Sequence, residues 1–136
     1  DQIALIEGIK KGVVDVITSN HQPHENEIRE VEFPIAPMGC IGTQIAFPMA
    51  LTYLLDELDL ETIVKTMSIN PRTILQTDIP VIKEGFVANL TLFDTHTKWK
   101  FDKSSNSSLS ENTPMLDSTL KGKVHGTILG NYLHFS

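Results

Sequence analysis

Cysteine is nearly absent, with Cys40 standing alone among 136 residues. One thiol excludes a disulfide within the chain and points to no oxidising compartment, so a cytoplasmic setting is expected. Long hydrophobic runs are missing as well, and none approaches the roughly 20 apolar residues that span a bilayer. The start, Asp1-Gln2-Ile3, has no charged stretch ahead of an apolar core and does not read as a secretory leader. It also lacks an initiator Met and opens directly in helical pattern, so a fragment of a longer protein is expected. Basic charge is scarce, with 11 Lys and Arg against 17 Asp and Glu and a net charge of −6. The basic residues are scattered. That excludes the electrostatic footprint of a nucleic-acid or anionic-membrane binder.

What is present is a hydrophobic fraction of 40%, enough for one modest core. Ile3, Ile6 and Ile9 fall at helical spacing, with Lys10 and Lys11 in the last turn and Gly12 after it, which predicts a helix over 3–11. The β-branched run Val13 to Thr18 predicts a buried strand in tight connection with it. At Ser19-Asn20-His21-Gln22-Pro23-His24 the chain turns polar, with two imidazoles around a proline. A rigid strand end followed by convergent polar groups is how α/β enzymes build a site.

Residues 19–42 form a long connection. Its charged middle, Glu25 to Glu32, reads as a solvated face. Its end, Phe33-Pro34-Ile35-Ala36-Pro37-Met38-Gly39-Cys40-Ile41-Gly42, is apolar and predicts a buried, ordered loop serving as a lid or substrate wall. Cys40 within it reads as a small buried hydrophobe, not a nucleophile. A helix is predicted between Thr43 and Leu55, with a kink or a start near Pro48. Asp59 is expected to cap a further helix whose apolar side carries Leu60, Ile63, Val64 and Met67, residues of a core. Asn70-Pro71 is expected to restart a short helix to about Gln76, with Asn as its cap.

Beyond residue 77 the pattern becomes β. Short strands are expected around Pro80 to Gly85, over Ala88 to Phe93, over Lys98 to Phe101, and on either side of a Gly130-Asn131 hairpin turn. Ser104 to Ser110 predicts a mobile loop, and Asn112-Thr113-Pro114 a turn. His96, His125 and His134 match no ligand spacing and read as ordinary residues of this half. The expected domains are 1–76 and 77–136.

Asn20-His21-Gln22-Pro23-His24 resembles the Asp-His-Ala-Pro-His segment of dihydroorotases, which are metal-dependent cyclic amidohydrolases. The similarity continues through Val31-Glu32-Phe33, Ala36 to Gly42, Ser68 to Arg72, Glu84 to Asp94, Asn112 to Pro114 and Leu120 to Val124. It covers essentially the whole chain, in order. The two histidines with the Ala-Pro-Met-Gly loop favour dihydroorotase over hydantoinase or allantoinase.

The resemblance implies an α/β fold: the last strand and late helices of a TIM-like barrel, plus part of a small β-sandwich domain. It implies zinc in the family, held largely by groups from strands this chain does not contain, so little metal affinity is expected of this fragment alone. It gives His24 the task of holding a substrate carboxylate, and Ala36, Pro37 and Gly39 backbone contacts to a dihydroorotate-like ring. His21 fits the pattern without an assigned task. At residue 20 the pattern has an aspartate that touches the metal and carries the proton. Asn20 has no such acceptor near neutral pH, so the base function is lost there. Two outcomes are open for the parent: a weak or inactive dihydroorotase, or a silent relative serving as a structural partner of aspartate transcarbamoylase or as a homo-oligomer.

Overall fold

The computed structural model describes residues 1–25 and 27–135. Helix α1, Gln2–Lys10, forms where the sequence predicts it and turns Ile6 and Ile9 inward. Its last turn is tied by Lys10, whose ammonium meets Glu57 at 2.9 Å. Helix α2, Ala46–Leu54, places Pro48 in its first turn. There the missing N–H costs nothing, because first-turn amides have no intrahelical acceptor, and no kink is needed.

The third helical stretch departs from expectation. Asp59 caps it as predicted, its carboxylate accepting the Thr62 N–H at 2.7 Å. The capped segment α3, Leu60–Val64, then runs through a π-helical turn, Lys65–Ile69, directly into α4, Asn70–Ile74. Asn70 therefore caps nothing. Its side chain reaches sideways and donates to the Asp15 carbonyl at 2.8 Å. Pro71 is accommodated because the π turn shifts the hydrogen-bond register just before it.

The run Val13 to Thr18, expected as a buried strand, forms no ladder among the described residues, and Val13 is exposed. A strand forms only where a neighbouring strand offers a ladder, and none of the described residues does so here. Its backbone is held by the helix instead. The Ile17 N–H donates to the Thr66 carbonyl at 3.1 Å, inside the π turn.

Three antiparallel strands follow in the order β1-β2-β3: Asn89–Lys100, Thr119–Leu129 and Tyr132–Phe135. The two strands expected over 88–101 are one, interrupted by a bulge between Asp94 and Lys98. Asp94 builds that bulge by accepting the Thr97 and His96 N–H groups, which hold its carboxyl below the usual range. Opposite it lies Gly122, at φ +89°, where any Cβ would strike the Leu51 side chain. Residues 80–85 form no strand; Pro80 removes a ladder donor there. The Gly130-Asn131 hairpin forms as predicted, pairing Leu129 with Tyr132. Of a sandwich, the described residues supply one sheet.

Two apolar clusters hold these elements. One joins Ile6, Ile9, Leu51, Leu58 and Ile63. The other joins Ile41 and Ile45 to Phe101 and Leu120, and so welds the loop ahead of α2 to the sheet. Thr52 adds a polar link, accepting the Lys121 N–H at 2.8 Å.

Candidate site at the strand end

Docked by Thr66 and Asn70, the extended run delivers Asn20 at its end. Asn20 sits at φ +42°, a left-handed conformation that Asn and Asp both tolerate. The backbone therefore accepts either residue. Asn20 accepts the Gln22 side-chain N–H at 3.3 Å through Oδ1. Gln22 occupies the place of Ala in the resembling motif, and its side chain lies over Gly39.

His21 has a clear structural task. Its Nδ1 accepts the Gly42 N–H at 3.0 Å and the Thr43 N–H at 3.3 Å, which in the neutral ring leaves the proton on Nε2. His21 thus ties the strand end to the start of the α2 region. A parallel bridge between His21 and Cys40 runs beside it, with the Gln22 N–H on the Cys40 carbonyl at 2.9 Å.

His24 reaches the same loop from below. Its Nε2 lies 3.1 Å from the Met38 carbonyl, an acceptor only, so that nitrogen carries a proton. Ala36, Pro37 and Gly39 are half-buried beside it. Gly39 is at φ +120°, and a Cβ there would lie 2.7 Å from the Gln22 Cβ. Only glycine fits.

The loop expected to be buried is largely open. Phe33, Ile35 and Met38 are 94%, 71% and 88% exposed, while Ile41 and Gly42 are buried. Cys40 is half-buried beside an apolar cavity of about 300 Å³ lined by Ile17, Ile45, Met49, Tyr53 and Met115.

Asn112, read from sequence as part of a turn, proves central. It is 4% exposed. Its amide nitrogen donates to the Gln22 carbonyl at 3.1 Å and the Gly39 carbonyl at 3.2 Å. The His24 N–H is shared between Asn112 Oδ1 at 3.4 Å and Ser110 Oγ at 3.3 Å. The sequence signals for this were its place in the resembling Asn112-Thr113-Pro114 segment and a polar side chain that has to be satisfied once buried.

The Ser104–Ser110 loop, expected to be mobile, is closed by hydrogen bonds. Gln44 donates to the Ser105 carbonyl at 2.6 Å and accepts the Ser107 N–H at 2.8 Å. Asp102 nucleates the turn, its carboxyl held below the usual range by the Ser104 hydroxyl and then the Ser105 N–H. His96, His125 and His134 lie on the strands, away from Asn20 and His24.

The residues present do not make a zinc site by themselves. Among the described residues no three His, Cys, Asp or Glu side chains converge. Asn20 offers a neutral amide oxygen, and the Nδ1 lone pair of His21 is already engaged.

No protein-family model matches the chain. It is 40% identical over 130 residues to a dihydroorotase of Aquifex aeolicus (strain VF5), covering 94% of this chain and 30% of that relative. The chain therefore spans about a third of the length of the curated relatives it matches. In structure it is similar to an L-hydantoinase (dihydropyrimidinase) from Arthrobacter aurescens, with a TM-score of 0.85 at 25% identity over 96% of this chain and 31% of the other. It shares its fold with the inactive dihydroorotase-like domain of a Chaetomium thermophilum CAD-like multifunctional protein, with a TM-score of 0.68 at 19% identity over 97% of this chain and 35% of that one. Sequence and fold agree: the chain is a dihydroorotase-like amidohydrolase segment.

Proposed function

We propose that the full-length protein keeps a dihydroorotase-type ligand site but has lost the proton acceptor that hydrolysis needs. The ligand is a dihydroorotate-like cyclic amide carrying a carboxylate, and the family reaction interconverts it with N-carbamoyl-aspartate in pyrimidine biosynthesis. His24 takes the carboxylate, and the backbone of Ala36, Pro37 and Gly39 faces the ring. The single observation that carries the reading is Asn20 at the strand end, where its carboxamide neither accepts a proton near neutral pH nor bears charge. A positioned base contributes about 10²–10⁴ in rate, so turnover is feeble at best. Residues 1–76 belong to the barrel in this reading, and 77–136 to the C-terminal β domain.

The neutral carboxamide also favours a second reading, a silent partner of aspartate transcarbamoylase or of its own copies. The full-length protein with zinc, titrated calorimetrically with dihydroorotate, separates the two. The ligand site predicts saturable binding without hydrolysis on the same timescale. Absent binding, together with co-elution with aspartate transcarbamoylase, supports the partner role.

A further inference from the structure

We propose that Asn112 is the positioning residue of this ligand site, fixing the His24 backbone and the Gly39 peptide in one geometry. The inference rests on the dihydroorotase-like reading of the site.

The two loops concerned are distant from Asn112 in sequence, by 88 residues at His24 and 73 at Gly39. Neither is part of a helix or ladder. Among the described residues they are also linked directly by the Gln22 N–H on the Cys40 carbonyl, the His24 imidazole on the Met38 carbonyl and His21 on the Gly42 and Thr43 N–H groups, but none of these bonds holds the His24 and Gly39 backbones together. Asn112 spans both. The two protons of its Nδ2 go to different loops, Gln22 on one side and Gly39 on the other. Its own carbonyl accepts the Ile41 N–H at 3.0 Å. Ser110 completes the clamp by donating to the His24 carbonyl at 2.6 Å while lying against Asn112 Oδ1. A carboxamide is the one side chain that presents two donors and an acceptor in one plane here. An aspartate of the same shape would set oxygen against two carbonyls.

Such a clamp touches no substrate and acts through His24 and Gly39. Loosening it separates the carboxylate end of the site from the ring end, which weakens binding without emptying the protein of folded molecules. Loss of structure alone would do the reverse, lowering the fraction able to bind while leaving each intact site its full affinity.

The zinc-loaded full-length protein and its Asn112→Asp variant are titrated with dihydroorotate by calorimetry. We expect the variant Kd to rise 10-fold or more at a stoichiometry near that of the wild type. An unchanged Kd, with or without a fallen stoichiometry, overturns the positioning role and leaves the reading of the site intact. No titration by the wild type overturns that reading, and this inference with it. If Asn112→Asp does not fold, Ser110→Ala decides. A Kd raised 3-fold or more supports the clamp, and an unchanged one overturns it.

Discussion

Gln22 donates its side-chain amide to Asn20 Oδ1 at 3.3 Å, while the same side chain fills the space over the Gly39 Cα. Asn20 is thus tethered by a side chain that also lies across Gly39. Gln22→Ala removes both the tether and the obstruction. We expect dihydroorotate affinity of the full-length protein to rise roughly 3- to 10-fold, the worth of one neutral hydrogen bond no longer competed for. Weaker binding in the same titration would make Gln22 part of the binding surface.

His24 carries its Nε2 proton toward the Met38 carbonyl, so a ligand carboxylate has to win that donor from a neutral acceptor. Charge makes the exchange favourable, because hydrogen bonds to ionised groups are about twice as strong as neutral ones. His24→Ala should weaken dihydroorotate binding roughly 10- to 100-fold, as for a lost charged hydrogen bond. Dihydrouracil, which has the ring without the carboxylate, should bind both proteins alike. Equal losses for the two ligands would show that His24 does not read the carboxylate.

Much of this arrangement was legible in the sequence, and the failures have physical causes. The amphipathic spacing of Ile3, Ile6 and Ile9, the Asp59 cap and the Gly130-Asn131 turn are local signals, and each formed where expected. Val13 to Thr18 has strand composition, but ladder formation depends on neighbours that composition does not reveal. Asn70-Pro71 carries the local mark of a helix start, yet the π turn lets the helix run on and frees Asn70 to hold Asp15. The serine-rich loop read as mobile because its distant partner, Gln44, is set by tertiary structure. Asn112 was visible as part of a turn and of the resemblance, but its clamping bonds were hidden for the same reason. Its bonds run to residues far away in the chain.

The strand end depends on helix packing for its position. Ile63 is 0% exposed in the first cluster, one turn ahead of Thr66, whose carbonyl holds Ile17. Ile63→Ala should cost about 2–5 kcal/mol, the usual range for truncating a buried aliphatic side chain. Urea unfolding of the full-length protein, followed by far-ultraviolet circular dichroism, should show the transition at lower urea. A shift below about 0.5 kcal/mol would mean that the helix is held elsewhere.

Asp94 makes the bulge of β1 respond to acid. The Thr97 and His96 N–H groups hold its carboxyl below its ordinary 3.8. A carboxyl lowered on folding contributes stability that is complete above the ordinary range and disappears as pH falls through the folded value. Wild type and Asp94→Asn should therefore differ in thermal midpoint at pH 7, and the gap should close as the pH falls below the ordinary carboxylate range and through the lowered folded value. A gap that persists in acid would assign the effect to something other than the carboxylate charge.

We propose above all that residue 20 lacks the proton acceptor while the rest of the ligand site is retained. The most direct test is the rate of dihydroorotate hydrolysis by the zinc-loaded full-length protein beside its Asn20→Asp variant. The left-handed backbone at residue 20 accepts either side chain, so the substitution changes chemistry and not conformation. We predict feeble hydrolysis by the wild type and a gain of about 10²-fold or more in the variant. Ordinary turnover by the wild type, unimproved by the aspartate, would contradict the account.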